Sequence, residues 1–480
     1  MNDSIKWVKE NLDKHSKTVC GAKWYNATIW LGNGMTASCH HPPPHKIDPE
    51  EVKKNPSALH NTEYKKRVRK QMQNGIQCRE CEYCWKIENL DNGTVSDRFY
   101  KSVIYTHDEL ESAFTSNWQE DAPLKTLEIA FDSNCNYACS YCNAGYSTTW
   151  ANDIKKNGAY RDLKSDGWGA FAHDGSWAMP HGPANKDNPY IEAFWKWWES
   201  ELQHTLVELR VTGGEATVSN DFWKLIDWYE VNSNCNVRLA VNSNLGVKKD
   251  KLDRLIQSSH YIKNMDLYTS NEAVGINAEY IRDGLVWEEW KTNLERLAKE
   301  GNFNLLHVML TLNALCLSSV DQMLDFVFNL REETGVKIDT SYNILRFPSF
   351  QSITTLPNNI KQERHAHLSQ WYQRNSHRFN DWERDGFLRL LTYIENVDEG
   401  HSVREHSDLD KRQSDFHKFF VQYDNRRGFD FATAFSNWPQ LVEWYNSFDS
   451  EISQEKIELV NGDATEWGRG IYDEVMKNEQ

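Results

Sequence analysis

The sequence predicts an α/β protein with a parallel sheet and helical crossovers between about residue 124 and residue 345. Three observations carry this. Six short apolar, β-branched segments alternate with longer amphipathic ones, and parallel strands need such crossovers between them. Three cysteines, Cys135, Cys139 and Cys142, directly follow the first of these segments. Beyond about residue 346 the strand signal stops and the chain reads as a mainly helical extension to residue 480.

Residues 1–95 form a cysteine-bearing module that holds Cys20, Cys39, Cys78, Cys81 and Cys84. Within it, Lys65-Lys66-Arg67-Val68-Arg69-Lys70 reads as a solvated helix face. The stretch His40-His41-Pro42-Pro43-Pro44-His45 reads as a loop, because its prolines impose an extended backbone that keeps the imidazoles from converging. Residues 96–123 are a polar connector. Candidate strands are 124–131, 206–212, 237–242, 264–269, 305–312 and 336–343, with helix-like stretches such as 221–231 and 287–299 between them. The interval 150–190, rich in Gly, Asp and Trp, is too long for a simple connection. It is either a lid or substrate loop, or a surface excursion. It includes Asp166-Gly167-Trp168-Gly169 and Gly175-Ser176-Trp177. Phe194-Trp195-Lys196-Trp197-Trp198 reads as a helix with its aromatic face packed on the sheet. Near the end, Trp438-Pro439 opens a helix with Pro in the first turn.

Composition narrows the function classes. The chain has 480 residues, 39% of them hydrophobic, and a formal charge of −16; its mean hydropathy is −0.74. These values indicate a soluble protein. No apolar run approaches the roughly 18 residues of a membrane helix, and Met1-Asn2-Asp3-Ser4-Ile5-Lys6 lacks the apolar core of a signal peptide. The acidic balance argues against a general nucleic-acid surface. Eight of the ten cysteines are grouped at ligand spacings, which with no leader points to a reducing cytoplasm. Cys235 and Cys316 stand apart and read as ordinary half-buried thiols.

The run Cys135-Asn136-Tyr137-Ala138-Cys139-Ser140-Tyr141-Cys142 has C-x3-C-x2-C spacing, which can hold three corners of a cubane iron–sulfur cluster. Such clusters normally take four thiolates, so one iron stays open to a small ligand. Zinc sites prefer paired C-x2-C units and a fourth protein ligand. Downstream, Val211-Thr212-Gly213-Gly214-Glu215 ends the second candidate strand. Its two glycines allow close backbone approach to a ligand, and the Glu215 carboxylate can accept hydrogen bonds from an ammonium group.

With this cysteine spacing, the aromatic Tyr141 before the third cysteine and the GGE at a strand end, the chain resembles the radical SAM superfamily. The resemblance implies a partial (β/α)6 TIM-type barrel, with chemistry at the C-terminal ends of strands. It also implies S-adenosylmethionine (SAM) chelated by the open iron, reductive cleavage to a 5′-deoxyadenosyl radical, and hydrogen abstraction from a substrate. Gly213, Gly214 and Glu215 then bind the methionyl amine, and Ser243 and Asn244 lie near the ribose hydroxyls. Ser270 and Arg282 clamp the SAM carboxylate, which suits a guanidinium's bidentate geometry, and Asn313 is a candidate near the adenine. The five N-terminal cysteines, with Gly34 five residues before Cys39, resemble a twitch domain, a shortened relative of the SPASM domain, here placed before the barrel. That implies an auxiliary [4Fe-4S] cluster on Cys20, Cys39, Cys81 and Cys84, with Cys78 spare. Pairing Cys78 with Cys81 instead, and a four-cysteine zinc site, are the competing readings, since iron and zinc share a thiolate preference. Such relatives modify peptides or proteins and take electrons from a donor such as flavodoxin or ferredoxin. A small-molecule substrate, such as a sugar or nucleotide derivative, and a non-catalytic iron–sulfur or zinc scaffold are the alternatives.

Overall fold

The computed structural model describes residues 3–90, 94–165, 168–174, 187–395, 408–449, 451–453, 459 and 466–477. Its strands are β1 (Asn26–Trp30), β2 (Met35–Ala37), β3 (His45–Lys46), β4 (Thr126–Ala130), β5 (Ala138–Cys139), β6 (Glu208–Thr212), β7 (Arg238–Ser243), β8 (Met265–Ser270), β9 (Arg282–Asp283), β10 (Leu305–Leu312) and β11 (Ile338–Ile344). Nine of them form one sheet in the order β11-β10-β8-β7-β6-β4-β1-β2-β3. All six strands expected from the sequence are present, each within two residues of the expected bounds. They lie side by side in chain order, every pair parallel. A helix fills most crossovers. Asn220–Val231 buries Phe222, Leu225, Ile226 and Tyr229, the i, i+3, i+4, i+7 stripe of an amphipathic helix. Trp287–Glu300 does the same with Trp290, Leu294, Leu297 and Ala298.

Strand β1 was not expected from the sequence pattern. It pairs in parallel with β4, from Asn26 on Thr126 to Trp30 on Ala130, so the cysteine-bearing N-terminal region adds a seventh parallel strand. Antiparallel β2 and β3 complete that edge. Among the described residues no ladder joins β11 to β3, so the sheet is open.

Packing corrects several expectations. The basic run lies on helix Glu63–Gln73, but Lys65 and Arg69 are only 3% and 1% exposed. Lys65 Nζ donates to Thr36 Oγ1 (2.8 Å) and to the Ala37 carbonyl (3.2 Å). Arg69 donates to the Lys23 carbonyl (2.9 Å) and to Asn61 Oδ1 (2.8 Å). These cations satisfy buried carbonyls that burial would otherwise leave unpaired. Cys316 is fully buried, not half-buried. The interval 150–190 holds the end of helix Thr148–Asn157 and the short helix Trp168–Ala172; Asp166-Gly167 and Gly175-Ser176-Trp177 lie outside the described residues. The aromatic run falls in helix Pro189–Trp197 and the turn after it, with Phe194, Trp195, Trp197 and Trp198 all buried.

The C-terminal extension is built into the core beside the cysteine loop. Helix Leu409–Arg427 presents Tyr423, whose hydroxyl lies 3.3 Å from the Ala138 carbonyl and 3.1 Å from that of Tyr280. Tyr423→Phe should lower unfolding free energy by about 1–1.5 kcal/mol, the net worth of a hydrogen bond whose buried acceptors lose their donor. Urea denaturation checks this, and an unchanged midpoint would show that the hydroxyl contributes nothing there.

Candidate functional site

Beyond β4 the chain turns through Cys135 into β5, which pairs antiparallel with β9: Ala138 opposes Asp283 and Cys139 opposes Arg282. Ser140 N donates to the Ile281 carbonyl (2.7 Å), and a turn brings Cys142 N onto the Cys139 carbonyl (2.9 Å). The Cys135 amide is held by Thr148 Oγ1 (3.2 Å). The small sheet therefore fastens the three-cysteine loop to the segment that follows β8. All three thiols are half-buried and line one solvent-open cavity of about 220 Å³. Gly213, Gly214, Glu215, Ser243, Asn244, Tyr141, Ser270 and Arg282 line it too. Burial pushes the Cys135 thiol up to about 12 and that of Cys142 upward as well. Arg282 opposes the same effect at Cys139.

The two glycines serve the chain itself. Gly213 has φ +124°, and a Cβ there would lie 2.7 Å from the Asp132 carbonyl oxygen. A Cβ on Gly214 would lie 2.2 Å from the Asn134 carbonyl oxygen, which accepts a 2.6 Å hydrogen bond from Glu215 N. What approaches this backbone so closely is the cysteine loop. Gly214→Ala should push that loop away from β6 and lower stability by about 1–3 kcal/mol, as overpacking does. A melting curve matching wild type would refute the close approach.

Glu215 is buried and held from four sides. Its Oε1 accepts from Thr217 N (3.0 Å), Thr217 Oγ1 (2.6 Å) and Ser243 Oγ (2.8 Å); its Oε2 accepts from Asn244 N (2.6 Å). Burial raises its pKa and these hydrogen bonds lower it. A carboxylate offers about four acceptor positions, two per oxygen, so the remaining capacity lies on Oε2. Ser243 Oγ also accepts from Leu245 N (3.1 Å). Asn244 Nδ2 donates to Asn136 Oδ1 (2.9 Å) and lies 3.9 Å from Cys135 Sγ.

Two of the expected cofactor residues have partners within the chain. Arg282 is not a free clamp: its guanidinium is buried against Glu272, with Nη2 at 2.6 Å and Nε at 3.2 Å from Oε2, and its Nη1 lies 3.7 Å from Cys139 Sγ. Tyr141 donates its hydroxyl to Glu272 Oε1 (3.1 Å). Asn313 does not line the cavity. It is buried in the turn after β10, its Nδ2 on the Thr311 carbonyl (2.9 Å) and its Oδ1 accepting from Leu315 N (2.9 Å) and Cys316 N (3.1 Å). Glu272 is the residue that sequence reasoning missed. Its signal was an acidic side chain two positions past the end of β8, the strand end where βα chemistry collects.

A second, much tighter cavity of about 20 Å³ is lined by Cys20, Cys39, Cys81 and Cys84 together with Lys23, His41, Asp97 and Arg98. Burial holds the Cys39 and Cys84 thiols up at about 12. Cys78 does not line this cavity; its thiol lies within 4.8 Å of Cys81 and Glu80 ligand atoms. The stretch 40–44 is a loop as expected, but the imidazoles of His40 and His41 converge all the same. Their rings are 4.0 Å apart and both Nε2 atoms reach Asp97 Oδ2, at 3.2 Å and 2.6 Å. The prolines follow both residues and so separate only His45, which bonds Thr62 Oγ1 at 2.9 Å instead.

The donor chemistry suits soft metals in both cavities. Three thiols around an open space fit a cluster with one iron left for another ligand, and four thiols fit either a second cluster or zinc. No family model and no curated protein matches the chain. One solved structure that matches is SuiB of Streptococcus suis bound to S-adenosylmethionine, at 11% identity, covering 75% of this chain and 70% of that chain, with a TM-score of 0.35. A likeness of that size carries no weight for function.

Proposed function

We propose that this chain is a radical SAM enzyme acting in the cytoplasm on a peptide or protein, with a flavodoxin or ferredoxin as electron donor. The observation that carries the reading is the first cavity, where three thiols from one loop and the Glu215 carboxylate from the next strand end line a single space. In this reading β4 to β11 are a partial (β/α)6 barrel, residues 1–95 a twitch-like module, and residues 346–480 a helical extension. Cys135, Cys139 and Cys142 would hold a [4Fe-4S] cluster, which when bound and reduced would supply the electron for cleavage of SAM to the radical that takes hydrogen from the substrate. Glu215 receives the methionyl ammonium on Oε2, the oxygen with acceptor capacity left. Ser243 keeps that carboxylate in place, and Asn244 ties it to Cys135. Ser270 lines the same space from the end of β8. Arg282, tied to Glu272 and within reach of Cys139 Sγ, steadies the loop. Cys20, Cys39, Cys81 and Cys84 hold the auxiliary cluster.

Anaerobic reconstitution with iron and sulfide, followed by reduction in the presence of SAM, tests this. The expected result is about eight iron atoms per chain and release of 5′-deoxyadenosine. Stoichiometric iron with no 5′-deoxyadenosine would overturn the assignment, and zinc in the second cavity would overturn its auxiliary part.

A further inference from the structure

Lys23 is a buried cation on the wall of the cavity that the four N-terminal thiols line. It follows Cys20 by three residues, and its amide donates to the Cys20 carbonyl (3.0 Å). That turn into helix Ala22–Tyr25 brings its side chain to the cavity of Cys20, Cys39, Cys81 and Cys84. It is 3% exposed. Its partner is the Glu80 carboxylate, which is fixed from its other oxygen by the Tyr64 hydroxyl (2.7 Å). Lys23 lines the cavity and Glu80 does not. The pair sets the Lys23 ammonium on the cavity wall, while a Glu80 carboxylate oxygen lies within 4.8 Å of the Cys81 thiol and carries the opposing charge. An ammonium has three donors, and Glu80 engages one. Arg98, the other buried cation on this wall, is committed elsewhere. It donates to Glu88 (3.0 and 3.1 Å), Asp13 (3.0 Å) and the Val19 carbonyl (3.1 Å).

We infer that Lys23 sets the reduction potential of the auxiliary cluster, raising it by stabilising the reduced form. The inference rests on the auxiliary-cluster reading above. A cubane on four thiolates is anionic in both states, and one-electron reduction adds a further negative charge. An ammonium at the cavity wall favours the more negative state, and the low dielectric of a buried site strengthens that preference. Lys23 thus acts through the cluster as a positioning charge, on its surroundings rather than on a ligand bond. The direction suits a cluster that accepts an electron.

The test is a redox titration of the fully reconstituted full-length chain, followed by electron paramagnetic resonance, with both clusters observed together. Lys23→Met should shift the auxiliary midpoint downward, leave the three-cysteine cluster's midpoint in place and keep the iron content. Lys23→Arg should restore the auxiliary midpoint. Glu80→Gln, which removes the opposing charge, should shift it upward, and this variant carries the test if Lys23→Met fails to fold. An auxiliary midpoint unmoved in Lys23→Met at wild-type iron content, or unmoved in Glu80→Gln, overturns the role of Lys23. A wild-type chain with about four iron atoms overturns the auxiliary-cluster reading itself.

Discussion

Replacing Cys135, Cys139 and Cys142 together with alanine should remove about half of the reconstituted iron and all 5′-deoxyadenosine formation. The three thiols are the only cysteine side chains lining the first cavity among the described residues, so no thiol there can substitute. The fold should survive. The loop is held by backbone contacts, the β5–β9 ladder and the bonds of Ser140 N and Cys135 N, none of which needs sulfur. Circular dichroism should therefore match wild type, and the iron that remains, about four atoms, should belong to the N-terminal cavity. Any 5′-deoxyadenosine above background in this variant would sink the proposal.

Arg282→Ala should lower unfolding free energy by roughly 3–5 kcal/mol, the usual consequence of stranding one member of a buried ion pair. Arg282 and Glu272 have side chains only 5% and 1% exposed. Without the guanidinium, Glu272 keeps only the Tyr141 hydroxyl, which is too little to replace an opposite charge away from water. Removing both charges, in Arg282→Met/Glu272→Met, should recover much of the loss, because no unpaired ion then remains. Denaturant melts of the wild type, both single variants and the double variant measure this directly. A single variant within about 1 kcal/mol of wild type would mean that the pair is solvated in solution.

What could be read along the chain was whatever repeats locally. The six central strands follow from alternation of short apolar, β-branched segments with longer amphipathic ones, a pattern that marks each strand without knowledge of its partner. The C-x3-C-x2-C run and the GGE are each contiguous, so the three thiols and Glu215 that share the first cavity were named from the sequence, whereas Tyr137, Tyr146 and Ser147, which line it too, were not, and Asn313, which was named, lies elsewhere. Tertiary structure decided which groups face each other across long separations. Strand β1 reads as an unremarkable five-residue stretch until it meets β4, and its pairing joins positions 100 residues apart, Asn26 to Thr126. The same holds for Arg282: a basic residue near a strand end suits an anionic ligand, but Glu272, brought close by the turn after β8, takes the guanidinium first. Lys65 and Arg69 look solvated in a basic run and are buried because β2 and the Lys23 turn present carbonyls to them. Local periodicity determined where strands and helices form. The partners of each charge were left to the fold, because an ion's environment depends on which distant backbone and side-chain groups close around it.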